Sequence, residues 1–435
     1  MPESYQKAIN SQLGLVSSLR SAKSLNPFAD GTHLVFGRSG RLDELFPELM
    51  FESASSEGLF VTGSGCAVDP ELAARKAVFE TFERYATAIY SNRDVVIASV
   101  EELGAEAIDL TLLPTLHVRL PGESKWEGRP IDRRAPIRWR KGFHLLQRRV
   151  VYIPLVMVQI YAKPLVGENF YPQTTTGTAA NTSLNDATVS ALCEIVERDA
   201  VETIWRTQAP LQRIDIDSSL PTELAGLHEL DLKGRVFVNQ EYFDATLEAG
   251  IPTIYAVRRV SPPLGNDVIV SCACHPSATQ ALYKARLEAS SQQLMRLSES
   301  SGRSYSRYRH EEGYLVNDVR ELRPDLSFLE AQIDGQIKFS ELIAKTENLG
   351  PGSAATVLAA IAARNKEVAI IDIATDELRD LGVHVVKAII PTLMTAAPSS
   401  DQMFIHHPRL KEVANRFGLP SWSVKSLNTT QQPFC

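Results

Sequence analysis

The sequence predicts an α+β fold, with mixed or antiparallel sheets and helices packed against them. Short runs typical of strands alternate with long helical patterns along most of the chain. Two of the helices follow polar, small-residue loops and carry the same Glu-x-x-Glu-Arg spacing, over residues 80–84 and 194–198. Repetition of this loop–helix unit indicates that the two helices face one shared site.

Length and composition are typical of a globular protein with a substantial core. The 435 residues are 44% hydrophobic and 22% charged, and the formal net charge is −7. A mildly acidic chain is not typical of nucleic-acid binders, and no run resembles a signal peptide or reaches transmembrane length. The sequence therefore predicts a cytoplasmic protein without a nucleic-acid or membrane partner.

The cysteines predict neither a disulfide framework nor a zinc site. They are odd in number and widely spaced: Cys66, Cys193, Cys272, Cys274 and Cys435. Cys272 and Cys274 follow a strand-like run, so both are expected to face the core as small apolar residues. No second cysteine pair completes a tetrahedral zinc site.

The first loop–helix unit follows an N-terminal stretch with only a modest apolar face. Residues 1–57 are predicted to form a helical and irregular segment. Residues 58–62 read as a short strand that leads into a glycine turn at residues 63–65. A helix over residues 70–89 follows, with apolar side chains at three- and four-residue spacings.

The pattern between the two units is strand-like with one interruption. Residues 94–100 and 114–120 are typical of strands, whereas the charged, proline-containing residues 121–140 predict a loop. Residues 150–161 are almost continuously apolar, as expected of a buried strand. Pro154 within them predicts an edge, an end or a bulge.

The second unit is a polar loop over residues 174–182 followed by a helix over residues 184–205. Ser183 is a candidate N-cap, and Asp186 takes the place of the glutamate in a capping box. The remaining elements predicted in order are strands at 235–240, 252–258 and 267–273, a helix at 276–300, a polar loop at 300–314, a helix at 353–364, a strand at 367–373, a short helix at 376–381 and a strand at 383–390.

The two Glu-x-x-Glu-Arg motifs predict a shared site for a metal and a nucleotide. A single copy is typical of a salt-bridged surface helix, but two copies indicate a pair of helices that face one another. Four carboxylates cannot share a cleft without cations, because like charges raise one another's pKa. Magnesium suits carboxylate and phosphate oxygens, and arginine offers phosphates a bidentate fork. The candidate residues are Glu80, Glu83, Arg84, Glu194, Glu197 and Arg198.

These motifs resemble the YcaO family of ATP-utilising enzymes from about Gly58 to the end of the chain. The resemblance rests on four stretches: Gly63-Ser-Gly65 before the first motif helix, Thr176-Gly-Thr-Ala-Ala180 before the second, the third helix from Gln280 to Arg296, and the strand in residues 381–391. The paired Glu-x-x-Glu-Arg helices in this order are the most specific feature.

The resemblance implies a YcaO-type fold whose catalytic domain covers residues 58–435 and binds ATP and Mg²⁺ between the motif helices. It implies that Glu80, Glu83, Glu194 and Glu197 bind the metal, that Arg84 and Arg198 bind phosphate, that Gln292 contacts nucleotide or metal, and that Thr182 and Asp186 belong to the nucleotide site. At Asp186 the family pattern has a glutamate.

The end of the chain favours one subclass of this family. Residues 420–435 lack periodicity and finish in Pro433-Phe434-Cys435, which is similar to the proline-rich tail of azoline-forming cyclodehydratases. That likeness implies that residues 420–435 form an active-site tail. The carboxylate of Cys435 would be the catalytic base, and its thiol would have no role.

The implied function is a stand-alone cyclodehydratase that makes thiazolines and oxazolines in bacteriocin-like peptide biosynthesis. The implied partners are a ribosomal precursor peptide, a separate leader-peptide-binding protein and a flavin dehydrogenase, and a homodimer is compatible with the sequence. Two alternatives remain open: thioamide or amidine formation by a related enzyme, and a non-catalytic nucleotide-binding scaffold.

Overall fold

The computed structural model describes most of the chain. The described residues are 6–11, 14–22, 31–46, 59–120, 125–217, 220, 224–226, 228–229, 237–262, 266–300, 324–330, 335–346, 349, 352–396 and 401–434. Cys435 and nearly all of the predicted polar loop at 300–314 lie outside them.

The N-terminal part of the chain begins with an antiparallel sheet. Strands β1 (Ser18–Ala22) and β2 (His33–Arg38) pair with each other, helix α1 (Leu42–Leu45) follows, and β2 then pairs with β3 (Thr62–Ala67). The predicted helical and irregular segment is therefore wrong for these residues. Their extended structure comes from pairing with β3, which local periodicity does not reveal.

Close packing of a helix on β3 explains why its glycines are part of a strand instead of the predicted turn. Helix α2 (Pro70–Ala88) lies directly on β3 and confirms the predicted helix. A Cβ on Gly65 would lie 2.0 Å from the carbonyl oxygen of Ala73, and one on Gly63 would lie 2.3 Å from the Thr81 nitrogen. Any larger residue would push the helix away from the strand.

A six-stranded antiparallel sheet forms the centre of the described structure. The elements in this part of the chain are, in order, β4 (Val95–Ala98), α3 (Val100–Leu103), β5 (Leu116–Arg119), β6 (Trp126–Arg129), β7 (Ile137–His144), β8 (Arg149–Pro154) and β9 (Thr178–Asn181). The prediction of a loop over residues 121–140 is wrong for 126–129 and 137–140, because β6 pairs with β5 and β7 pairs with both β4 and β8, whereas residues 130–136 do connect the two strands without regular structure. Pro154 is the last residue of β8, which agrees with the predicted edge, end or bulge position.

The second motif helix leads into a five-stranded mixed sheet. The elements are α4 (Leu184–Thr207), β10 (Gln212–Asp215), β11 (Val238–Asp244), β12 (Thr253–Val260), β13 (Asp267–Cys274), α5 (Ala278–Ser300), α6 (Ser327–Glu330), β14 (Gln336–Lys338) and α7 (Phe339–Thr346). The sheet order is β13-β12-β11-β10-β14, with only the β10–β14 pair parallel. The Ser183 hydroxyl accepts a hydrogen bond from Asp186 N at 3.3 Å, which confirms the predicted N-cap.

The last part of the chain completes the central sheet and adds a small one. Its elements are α8 (Ala354–Ala362), β15 (Ala369–Asp372), α9 (Asp376–Asp380), β16 (His384–Ile389), β17 (Gln402–Met403) and α10 (Pro408–Arg416). The central sheet has the order β4-β7-β15-β16-β9, with β8 on β7, and the small sheet has the order β17-β5-β6.

Helix α4 is buried between these layers. Its N-terminal half packs against β9, β16 and α8, and its C-terminal half packs against β12, β13 and α10. A helix covered on most sides is not the salt-bridged surface helix that a single motif copy would predict. In the described part of the chain, no helix combines the length and the apolar character needed to cross a bilayer.

Candidate active site

Helix α2 holds the first pair of motif carboxylates against two strands. Glu80 Oε2 accepts hydrogen bonds from the backbone nitrogen of Ser64 at 2.9 Å and from its hydroxyl at 3.1 Å. Glu83 Oε1 accepts a hydrogen bond from Ala180 N on β9 at 2.9 Å. Both carboxylates are therefore oriented by backbone donors of strands that flank the helix.

The arginine of the first motif joins α2 to the loop before α4. One Arg84 nitrogen lies 3.4 Å from Glu80 Oε1, and another donates to the hydroxyl of Thr175. The loop turns at Gly177, whose φ of +80° is a left-handed conformation that favours glycine. The two predicted loop–helix units are thus in direct contact.

Helix α4 holds the second pair of carboxylates in a similar way. The backbone nitrogen of Gly177 donates to Glu194, and Cys274 N on β13 donates to Glu197 Oε2 at 3.0 Å. Arg198 lies 3.8 Å from Glu194 Oε1 and 3.7 Å from Glu197 Oε1. Each motif carboxylate thus accepts a backbone hydrogen bond, and in Glu80 and Glu197 the other oxygen faces an arginine.

The carboxylates of the two helices interact across the cleft between them. Burial raises the pKa of Glu83 well above its ordinary value, and the charges of Glu194 and Glu80 raise it further. Burial also raises the pKa of Glu194, and it raises that of Glu197 to about 7, with Arg198 opposing both shifts. This cleft is an electrostatically strained cluster that a bound cation would relieve.

A fifth carboxylate, Glu288, lies in the same cluster and is absent from the sequence prediction. It comes from α5, and burial raises its pKa to about 8, with Glu197 raising it further and Arg198 opposing. Its spacing of four residues from Gln292 was the available signal, because both project from one side of the helix. The third helix therefore contributes a carboxylate to the cleft.

Lys387 on β16 is a second site residue that the sequence prediction does not name. The residue is 2% exposed, and its Nζ donates to the carbonyl oxygen of Thr174 at 2.7 Å. Burial lowers the pKa of Lys387 to about 7. The charge of Glu194 raises this pKa, and the charge of Arg84 lowers it further. The signal in the sequence was a lysine within the apolar run of β16.

Three predicted nucleotide-site residues lie apart from the carboxylate hydrogen bonds described above. Gln292 Nε2 donates to Val270 O on β13 at 3.1 Å. Thr182 and Asp186 are exposed at the beginning of α4, more than one helical turn before Glu194. Their roles, like those of the other predicted ligands, stay predictions, and the predicted base, Cys435, is outside the described residues.

The residues present fit a magnesium–nucleotide complex. Oxygen donors from three helices converge, and the buried Oε1 of Gln292 has no hydrogen-bond partner among the described residues. No set of three His, Cys, Asp or Glu side chains in the described ranges is close enough to hold a metal without other ligands. Such a set is not expected, because Mg²⁺ usually takes one or two carboxylates and completes its shell with water and phosphate oxygens.

The predicted core role of the cysteine pair agrees with the structure. Cys272 and Cys274 are buried free thiols at neighbouring same-face positions of β13. Burial raises the pKa of both thiols well above the ordinary value. A thiol held in its protonated form is a poor zinc ligand.

We expect the metal-free protein to lose stability as the pH rises from about 5 to about 8. The folded pKa values of Glu197 and Glu288 lie near 7 and 8, above the ordinary value of 4.5. In that window the folded state retains protons that the unfolded state has released, so the free energy of unfolding falls. The lowered pKa of Lys387 has the opposite effect above about pH 7.

Urea denaturation at a series of pH values measures this slope. The double variant Glu197→Gln/Glu288→Gln should flatten it, because neither amide titrates. An equally steep fall in the double variant would show that other groups cause the pH dependence.

The family of the chain follows from a match over its central region. The family model described as "YcaO cyclodehydratase, ATP-ad Mg2+-binding" matches residues 59–394, which include both motif helices, α5 and β16. The chain belongs to the YcaO family. This membership confirms the family resemblance read from the sequence.

A curated relative matches part of this YcaO chain. It is the "Uncharacterized protein in tfuA 3'region" of Rhizobium leguminosarum bv. trifolii, 27% identical over 264 residues. The match covers 58% of this chain and 60% of the relative, so it spans less than two thirds of the relative's length.

Solved structures share the fold of this YcaO chain. A heterocyclase in complex with substrate and cofactor has a TM-score of 0.73 at 19% identity, over 99% of this chain and 56% of that one. The E. coli microcin synthetase McbBCD complex with pro-MccB17 bound has a TM-score of 0.61 at 15% identity, over 98% and 99%. YcaO from Methanopyrus kandleri, bound with AMPPCP and Mg2+, has a TM-score of 0.56 at 18% identity, over 87% and 86%. The predicted α+β fold is confirmed.

Proposed function

We propose that this YcaO protein is an ATP-dependent cyclodehydratase that converts Cys, Ser or Thr residues of a ribosomal precursor peptide to thiazolines or oxazolines. The observation that carries the proposal is the convergence of two Glu-x-x-Glu-Arg helices on one cleft, with each carboxylate oriented by a backbone N–H. The family's description as an ATP- and Mg²⁺-binding cyclodehydratase supports the reaction class.

The chain's own residues hold and orient the reactants in this proposal. Bound Mg²⁺ supplies charge neutralisation of the triphosphate. Arg84 and Arg198 present planar forks to phosphate oxygens, and their contacts with Thr175 and Glu197 limit their orientations. The metal ligands are proposed to come from Glu80, Glu83, Glu194, Glu197 and Glu288. Fixed positions for these groups favour alignment of a peptide amide oxygen with the γ-phosphorus.

The reaction balances without an oxidant. The side-chain sulfur or oxygen of the substrate adds to the preceding carbonyl carbon and releases a proton. The former carbonyl oxygen takes the γ-phosphoryl group of ATP and leaves as phosphate, while the amide nitrogen releases a second proton as the C=N bond forms. A base must accept these protons. Its assignment to Cys435 stays a prediction.

Delivery of the peptide by other proteins belongs to the same proposal. The fold is similar to that of a microcin synthetase complex with a bound pro-peptide. We expect a separate protein to bind the leader peptide and raise the rate, and a flavin dehydrogenase to oxidise the azolines. A homodimer is compatible with this arrangement.

The function is tested by measuring ATP hydrolysis and peptide mass together. A Cys/Ser/Thr-rich precursor should stimulate ATP hydrolysis and lose one water for each phosphate released. The same peptide with those residues replaced by alanine is the control and should show neither effect. The leader-binding protein should raise the rate, and a full rate without it would contradict the proposed need for a partner.

The alternatives give different products in this assay. Replacement of oxygen by sulfur in the peptide would identify thioamide formation and refute the cyclodehydratase proposal. Nucleotide binding without turnover, with every peptide and partner added, would identify a scaffold.

A further inference from the structure

Helix α4 carries a second polar stripe besides the one that lines the cleft. Asp199, Glu202 and Arg206 follow one another at three- and four-residue spacings, so they share one side of the helix. Their exposed fractions are 3%, 1% and 2%. Buried charges need partners, and two of these three find them in the C-terminal part of the chain.

Asp199 joins α4 to the segment around α10. Its carboxylate accepts hydrogen bonds from Arg409 at 2.7 and 3.2 Å and from Met394 N at 2.9 Å. Arg409 also donates to Glu248 at 2.9 Å. This contact fixes the beginning of the C-terminal segment beside the motif helix.

Arg206 and Trp205 hold residues further along that segment. Arg206 Nε lies 3.1 Å from Glu202 Oε2, and its Nη1 donates to the carbonyl oxygens of Asn428 at 3.1 Å and Thr430 at 2.6 Å. Trp205 Nε1 also donates to Thr430 O at 3.1 Å. Asn428 donates in return from N to Arg206 O and from Nδ2 to Trp205 O. We call this set of contacts the tail clamp.

From the tail clamp the chain runs to strands β12 and β13. Phe434 is buried, and its ring meets that of Tyr255 edge-on with centroids 4.9 Å apart. Tyr255 is the cross-strand partner of Cys272, and the charges of Glu197 and Glu288 act on the Cys272 thiol. Directly opposed residues of paired strands share a face, so residues 428–434 end on the face of β12 and β13 that carries Cys272.

We propose that Arg206 is a positioning residue that holds residues 428–434 against this sheet face, beside the carboxylate cluster, and thereby keeps peptide and nucleotide aligned. Its effect on chemistry rests on the proposed function, whereas the docking of the tail rests on hydrogen bonds alone. Arginine is required because one planar group must reach a carboxylate and two carbonyl oxygens together, which an ammonium group cannot do.

The test compares Arg206→Lys with Arg379→Lys in the full chain. Arg206→Lys keeps a cation beside Glu202 but loses the fork. We expect amide hydrogen exchange of residues 428–434 to rise about tenfold, as for a locally opened segment. Azoline formation should fall about 10- to 100-fold through misalignment, while the Kd for ATP changes less than about twofold. Arg379→Lys, on the exposed part of α9, makes the same chemical change without touching the tail clamp and should leave exchange and rate near normal.

Deletion of residues 433–435 separates a role through the tail from a general structural one. The deletion alone should lower azoline formation. Adding Arg206→Lys to it should lower the rate no further, because both changes remove the same docked tail. Should Arg206→Lys fail to fold, Trp205→Phe removes one donor of the tail clamp and keeps most of the aromatic ring.

The outcomes separate this inference from the proposed function. Unchanged exchange in Arg206→Lys overturns the tail clamp. The positioning role is overturned if Arg206→Lys raises exchange but forms azoline at the normal rate. It is also overturned if the loss of rate in Arg206→Lys adds fully to the loss caused by the deletion. A wild-type chain that forms no azoline refutes the proposed function, and the exchange experiment, which needs no peptide, still decides the tail clamp.

Discussion

Glu197→Gln is expected to lower ATP turnover by about 10²- to 10³-fold without unfolding the protein. This is the range observed when an enzyme loses one group that stabilises the charge of the transition state. The amide oxygen can still accept the hydrogen bond from Cys274 N. The amide NH₂ would then face Arg198 and the nucleotide, where a negative charge is lost. Glu194→Gln should have a similar effect, because its oxygen also faces Arg198.

The measurement is steady-state ATP hydrolysis over a Mg²⁺ titration, together with thermal unfolding. Without metal the variant should be at least as stable as the wild type, because one of several repelling carboxylates has been neutralised. Stabilisation by Mg²⁺ and nucleotide should be largely lost. Glu71→Gln, in the exposed first turn of α2, is the matched control and should keep normal turnover. Near-normal activity of Glu197→Gln at limiting Mg²⁺ would show that Glu197 is not a metal ligand.

Arg198→Lys is expected to lower ATP turnover by about 100-fold, and Arg84→Lys similarly, because a point charge cannot replace a bidentate phosphate contact. The charges of Glu197 and Glu194 outweigh burial and raise the pKa of Arg198, so the guanidinium stays charged. A lysine there would keep a positive charge and lose only the fork.

The kinetic readouts are kcat and KM for ATP. A phosphate contact that strengthens in the transition state predicts a loss mainly in kcat. Arg379→Lys, on the exposed part of α9, is the control and should behave as wild type. A normal rate for Arg198→Lys would mean that charge alone suffices and that no bidentate contact is made.

Local patterns were sufficient to predict the two motif helices. The predicted ranges 70–89 and 184–205 correspond to α2, Pro70–Ala88, and α4, Leu184–Thr207. Helical periodicity and a capping residue such as Ser183 are encoded within a few residues of each other, so no knowledge of the rest of the fold is needed.

Strands formed by distant pairing were the main error. β1, β2 and β6 lie in stretches predicted as helical, irregular or loop, and each is extended because another strand pairs with it. The glycines of β3 signalled a turn by propensity, but their actual role is to let α2 approach. At these positions, tertiary contacts override the local conformational propensity of the residues.

The sequence by itself determined the α+β class and the family. It also predicted the six charged residues of the two motifs as candidate site residues, because their spacing repeats along single helices. Only the tertiary structure decided that Glu288 and Lys387 join the site and that Arg206 holds the tail. Burial and charge at these positions come from elements far apart in the chain: Glu197 and Glu288 belong to different helices, and Arg206 and Thr430 are separated by 224 residues. Spacing within one element cannot encode such distances, since they depend on how whole sheets and helices pack.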